Sequence, residues 1–133
     1  MTSPAQLSES ECRQLLATSR VGRVALLLDG QPEIIPVNYA ASGNVVVFRT
    51  DPDTVLNEVD LAQVAFETDR IDETTRSGWS VLVRGYGRDI TEAIDPESRE
   101  LRALPVDSWA AGERSRWYKI EPTGISGRRL SPS

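Results

Sequence analysis

Histidine is absent from these 133 residues, and cysteine and lysine occur once each, as Cys12 and Lys119. Without histidine the chain has no usual general base, no Ser-His-Asp triad and no His-ligated metal. One cysteine cannot close an internal disulfide and cannot build a zinc site, and it suits a reducing cytoplasm. A single lysine leaves one weak candidate for Schiff-base chemistry. No apolar run approaches the roughly 20 residues that span a bilayer, and Met1 to Gln6 lacks the basic start and apolar core of a signal peptide. Basic residues are also scarce: 15 against 20 acidic ones, a formal net charge of −5. That balance argues against nucleic acid as a partner, because such affinity comes largely from neutralising phosphates. What remains is poorly stocked for acid–base catalysis, a gap that a borrowed cofactor fills.

What is present fits one domain, residues 1–133, large enough to bury roughly two-thirds of its unfolded surface without staples. Ser8-Glu9-Ser10-Glu11 has capping-box spacing and predicts a short helix ending near Ser19, with Leu15 and Leu16 on its apolar face. The apolar run from Arg20 to Leu28 predicts a buried strand, and Asp29-Gly30 a hairpin turn into Glu33–Tyr39. Ser42-Gly43-Asn44 turns into a strand from Val45 to Thr50. Asp51-Pro52 predicts a second helix, capped by Asp51, with Val55, Leu56 and Val59 on one face. Gln63–Thr68 reads as a strand and Arg70–Gly78 as a charged loop. Trp79–Arg84 begins a long strand running past Gly85 and Gly87 to Ile90, the glycines marking a bulge or corner. Asp95-Pro96 opens a helix stopped at Pro105. A loop carrying Trp109 leads to strands Arg116–Pro122 and Ile125–Leu130, and only the last three residues read as disordered. About six hairpin-linked strands with short inserted helices predict a mainly β fold that closes into an antiparallel barrel to remove its edges.

The succession Val21-Gly22-Arg23-Val24, Pro36-Val37-Asn38-Tyr39, Phe48-Arg49-Thr50-Asp51-Pro52, Ala65-Phe66-Glu67, Gly78-Trp79-Ser80-Val81-Leu82-Val83-Arg84-Gly85 and Gly127-Arg128-Arg129 resembles the actinobacterial branch of the pyridoxamine 5'-phosphate oxidase-like proteins. The likeness runs from Leu7 to Leu130. It implies a six-stranded split β-barrel of the FMN-binding type that pairs as a homodimer, with FMN in the clefts between subunits. Carried across by position, Pro36, Val37 and Asn38 pass beneath the isoalloxazine ring through backbone groups. Arg49 and Thr50 meet the ribityl-phosphate tail, and Thr54 and Val55 fall where relatives hold the phosphate. Trp79 and Ser80 approach the ring, from the partner subunit. Val55 stands where relatives place a lysine, and Asp51 and Asp53 lie in the same turn. A unit-charge repulsion at a few ångströms is on the order of a few kcal/mol at surface-like dielectric.

Each of these residues also has a plainer reading. Arg49 can pair with Glu67 or Asp69 across the sheet. Trp79 can be core or dimer interface. Pro36 can mark an edge or bulge. Arg84 reads as half-buried and paired, Arg128 and Arg129 as a solvated or interface pair, and Cys12 as structural. Three functional readings follow. The first is an FMN-dependent oxidoreductase of unknown small-molecule substrate, which is not pyridoxamine phosphate for want of a second basic phosphate site. The second replaces FMN by a deazaflavin. The third is a cofactor-free dimer that serves as a binding module. The homodimer expectation also draws on Trp79, Val81 and Val83, apolar residues a small barrel cannot all bury alone.

Overall fold

The computed structural model describes residues 2–107 and 116–132. The predicted loop around Trp109 lies outside them. Seven strands and two α-helices follow in the order β1 (Thr2–Gln6), α1 (Glu9–Leu16), β2 (Val21–Leu28), β3 (Gln31–Ser42), β4 (Val45–Thr50), β5 (Gln63–Asp72), β6 (Ser77–Asp89), α2 (Pro96–Arg102) and β7 (Arg116–Pro132). A single turn of 3-10 helix, Val55–Val59, lies between β4 and β5. All ladders between these strands are antiparallel, and the sheet order is β1-β7-β4-β3-β2-β5-β6 with β6 returning to β7. Six strands therefore close a ring, as predicted. β1 is a seventh that pairs only with the end of β7. Among the described residues no helix is long and apolar enough to cross a membrane.

Local chemistry explains the joins. Ser8 Oγ accepts from the Glu11 amide at 3.1 Å, and the Glu11 carboxylate accepts from the Ser8 amide at 3.0 Å. Both arms of the capping box are made. The helix stops at Leu16, short of Ser19, because the Thr18 amide and hydroxyl both donate to the Leu15 carbonyl. Asp29 and Gly30 sit at φ +51° and +78°, as a two-residue turn between right-twisted strands requires. The stretch Arg70–Gly78 is not a loop. β5 and β6 continue to a four-residue turn in which the Asp72 carboxylate accepts from the amides of Thr74 and Thr75. The polar residues there sit at the exposed tip of a hairpin, where composition mimics a loop. Ser131 and Pro132 likewise continue β7, paired with Ser3 and Thr2.

The turn after β4 also departs from expectation. Asp53 adopts φ +63°, so no helix can run from Pro52, and Thr54 rather than Asp51 is the cap residue. The 3-10 turn that follows has three residues per turn, which buries Leu56 and Val59 and leaves Val55 37% exposed. Val55, Leu56 and Val59 therefore do not share a face.

Inward-facing residues fill the ring. Tyr39 meets Phe66 edge to face at 4.7 Å between centroids, and Phe48 stacks on Tyr118 at 5.8 Å. The Tyr39 hydroxyl donates to the Leu16 carbonyl at 2.6 Å, which pins α1 over one end. Trp79, Val81 and Val83 all lie in this core, because odd-numbered residues of β6 point inward. They supply no exposed patch for a dimer. The exposed apolar side chains are others, among them Leu27 and Ile34, 70% and 67% accessible on neighbouring strands. The register shift between Arg84 and Gly85 is the predicted bulge; a side chain at Gly85 would lie 2.0 Å from the Glu121 carbonyl oxygen.

Candidate functional site

The ring is split where β3 changes partner. Gln31 to Asn38 pairs with β2, and Tyr39 to Ser42 pairs with β4. The β3–β4 ladder ends at Tyr39 opposite Phe48. Continuing that register would set Asn38 against Arg49 and Val37 against Thr50, but the strands have parted. Pro36, which donates no ladder bond, lies exposed opposite Arg23 of β2 in the stretch that lacks a partner on the β4 side. Five of the predicted contacts, Pro36, Val37, Asn38, Arg49 and Thr50, thus flank one opening. Val37 and Thr50 are buried, and Asn38 and Arg49 are half-buried on the opposite parity.

Arg49 does not lie across from Glu67 or Asp69, since β4 and β5 are not neighbours. Its guanidinium lies 4.8 Å from the ring centre of Trp117, its cross-strand partner on β7. Arg23 on β2 takes the two carboxylates, at 2.8 Å from Glu67 and 3.6 Å from Asp69. Burial, with the Asp69 carboxylate alongside, pushes the Glu67 carboxyl up to about 7 despite Arg23.

Below the split, hydroxyls tie the end of β4 to the 3-10 turn. Thr50 Oγ1 and Thr54 Oγ1 are 2.9 Å apart. Asn57 Nδ2 donates to the carbonyls of Asp51 and Thr54, at 3.0 and 3.1 Å, and Asn57 Oδ1 accepts from the Tyr118 hydroxyl at 2.5 Å. Asn57 and Tyr118 were not singled out from the sequence; the Thr54-x-x-Asn57 spacing at a turn is the signal that could have found Asn57. These groups border a cavity of about 680 Å³ whose charged lining is Asp53, Glu58, Asp60, Asp89 and Arg116. Arg116 is held by Asp89. Burial works against the Asp89 anion, but Thr91 hydrogen bonds and Arg116 keep its carboxyl below the usual range. Burial raises the Tyr118 phenol.

Trp79 and Ser80 are elsewhere. They face Arg129 and Arg128 near the far end of β7, whereas Arg49 and Thr50 face Trp117 and Arg116 at its start. One chain does not bring the two groups together. Trp79 is a core residue, only 7% exposed. Ser80 points outward into a second cavity of about 680 Å³ that also holds Arg84 and Arg128. Arg84 is exposed, with no ion pair among the described residues, unlike the half-buried pair expected. Cys12 is fully buried, and burial raises its thiol, as suits a structural residue.

The six-stranded antiparallel ring is thus split between β3 and β4. The family model of pyridoxamine 5'-phosphate oxidase matches residues 8–129. The chain belongs to that family. An uncharacterized protein of Mycobacterium tuberculosis is 31% identical over 131 residues, covering 94% of this chain and 84% of its own. The FAD-binding protein of Mycobacterium smegmatis superposes with a TM-score of 0.80 at 31% identity, over 96% of this chain and 98% of that one. A FAD-binding protein from Mesorhizobium loti gives 0.80 at 26% identity, over 99% and 100%. This member of the pyridoxamine 5'-phosphate oxidase family therefore resembles flavin-binding proteins over essentially its full length.

Proposed function

We propose that this chain is a flavin-binding protein of oxidoreductase type, in which the isoalloxazine ring lies along the opening between β3 and β4. The observation that carries the reading is the backbone of Pro36 to Asn38, laddered to β2 on one side and parted from the end of β4 on the other. Such a stretch can meet the polar edge of a ring without breaking a ladder. The absence of histidine fits a site whose redox chemistry belongs to the cofactor. The Mycobacterium smegmatis and Mesorhizobium loti proteins are named for FAD, which favours FAD over FMN as the flavin.

A phosphate does not fit the 3-10 turn. Val55 offers no charge, the turn is five residues long, and four carboxylates line the adjoining cavity against one arginine that is already paired. We place no phosphate there. Ser80 approaches a ring at this opening only from a second copy of the chain, so the reading includes a homodimer. Leu27 and Ile34, on the outer face of β2 and β3, are apolar surface such a partner could cover.

The test is a set of fluorescence titrations with riboflavin, FMN and FAD, together with light scattering. Saturable quenching by at least one flavin and a mass near twice 14.7 kDa are expected. Binding of none of the three would overturn the flavin reading. Uptake of a deazaflavin instead would move the chain to that chemistry, and uptake of neither would leave a cofactor-free binding module.

A further inference from the structure

We propose that the outer groove on β5, β6 and β7 binds the diphosphate of a dinucleotide, with Arg84 and Arg128 closing on it from opposite ends. The proposal rests on the flavin reading for the identity of the ligand, FAD, but its chemistry is that of any nucleoside diphosphate.

The sheet register builds the groove. Ser80 lies opposite Arg128, Leu82 opposite Ser126, and Arg84 opposite Gly124. Ser80, Leu82 and Arg84 alternate along one face of β6, and Ser126 and Arg128 lie on the same face of β7. Arg84 lies four steps along β6 from Ser80, so the two arginines stand about 13 Å apart along the strands at the usual rise per residue. Two long side chains at that separation can reach inward and meet over the serines. A diphosphate, with a charge on each phosphoryl group, suits two guanidinium forks better than one.

The groove is a cavity of about 680 Å³ in a chain that is acidic elsewhere. Neither Arg84 nor Arg128 has an ion-pair partner among the described residues, and both are exposed. The hydroxyls of Ser80 and Ser126 are half-buried and make no hydrogen bond to the described residues. Four polar side chains thus line one cavity without an ion pair or hydrogen bond to the described residues. The acidic group in the lining is Glu67, whose carboxylate is already taken by Arg23 at 2.8 Å. The cavity beside the 3-10 turn is the reverse case, acidic with its arginine spent. Between the two, phosphate chemistry belongs to the β6–β7 groove.

The experiment compares FAD, riboflavin and ADP as titrants against the full chain and its Arg84→Ala, Arg128→Ala and Arg84→Gln variants. Both arginines are exposed, so the truncations leave the core intact. The wild type is expected to bind FAD at least tenfold more tightly than riboflavin. Each alanine variant is expected to lose about tenfold for FAD, equivalent to about 1.4 kcal/mol, and nothing for riboflavin. ADP alone is expected to bind the wild type and to weaken in the same variants, with Arg84→Gln as weak as Arg84→Ala. FAD and ADP affinities indifferent to both arginines would overturn the inference and leave the flavin reading standing. ADP binding that depends on the arginines, with no flavin bound, would overturn the flavin reading and keep the diphosphate site.

Discussion

Gly87 clamps the 3-10 turn to the barrel, and replacing it by alanine is the most direct test of how the candidate site is held. Gly87 lies on β6 opposite Ile120, and Asp60 forms a bridge to it from the side. Its amide donates to the Ala62 carbonyl at 3.0 Å, and its carbonyl accepts from the Leu61 amide at 2.9 Å. A Cβ at this position would lie 2.0 Å from the Val59 carbonyl oxygen and 2.7 Å from its carbon. A backbone oxygen cannot rotate away as a side-chain tip can, so the end of the turn must shift by about 1 Å to restore ordinary contact distances. Overpacking of this kind costs about 1–3 kcal/mol, and two strained backbone hydrogen bonds add about 0.5–1.5 kcal/mol each. The sum, about 4 kcal/mol, is a large share of a small domain's stability of about 5–15 kcal/mol. The assay is urea unfolding, read as a shift of midpoint at constant slope. Gly124→Ala is the control, because a Cβ there meets nothing within 4 Å, and its expected change is within about 0.5 kcal/mol. Thr54 on the same turn holds Thr50, which flanks the opening, so Gly87→Ala is also expected to weaken flavin uptake. A loss no larger than that of Gly124→Ala would refute the claim that β6 holds the turn.

Two further outcomes follow from the same structure. Leu61 sits at φ +64° and is 72% exposed, with a side chain that gains little from its place; Leu61→Gly is expected to stabilise by about 0.5–1 kcal/mol in thermal unfolding, and a destabilised variant would show that Leu61 is packed. The raised Glu67 carboxyl makes its protonated form the one the fold prefers, so its contribution is fully present below the ordinary value of 4.5 and is lost as pH rises through about 7. Glu67→Gln should therefore gain stability relative to wild type across that window, measured as urea midpoints, and a gap that stays constant or reverses would show that Arg23 rather than burial governs this group.

Much of the barrel was legible because it rests on local signals. The Ser8 capping box, the Asp29-Gly30 turn and the Asp95-Pro96 helix start each act within a few residues, and each appears where its chemistry demands. The failures share a cause. β1 has no apolar alternation, and the hairpin tip from Arg70 to Gly78 is polar but for Ile71, so neither announces a strand; β1 exists because the distant end of β7 offers a ladder, and the tip because β5 and β6 pair right up to their turn. Val55, Leu56 and Val59 suit an α-helical face, but the positive φ at Asp53 and the clamp at Gly87 impose a tighter turn.

The candidate site divides along the same line. The sequence determined that Pro36 withholds a ladder donor within its strand, that no histidine is available, and that charge near Asp51 and Asp53 is unfavourable to phosphate. Each of these follows from residue type alone. Only the tertiary structure decided that β3 and β4 part after Tyr39 and Phe48, which sets Pro36, Val37 and Asn38 beside Arg49 and Thr50. Only it decided that Arg23 lies against Glu67 and Asp69, and that Arg84 and Arg128 share an open groove while Trp79 is buried. Strand order and register settle such questions, because the parity of a residue on its strand fixes the face and the neighbouring strand fixes the partner. Neither is written in the residues near it in sequence.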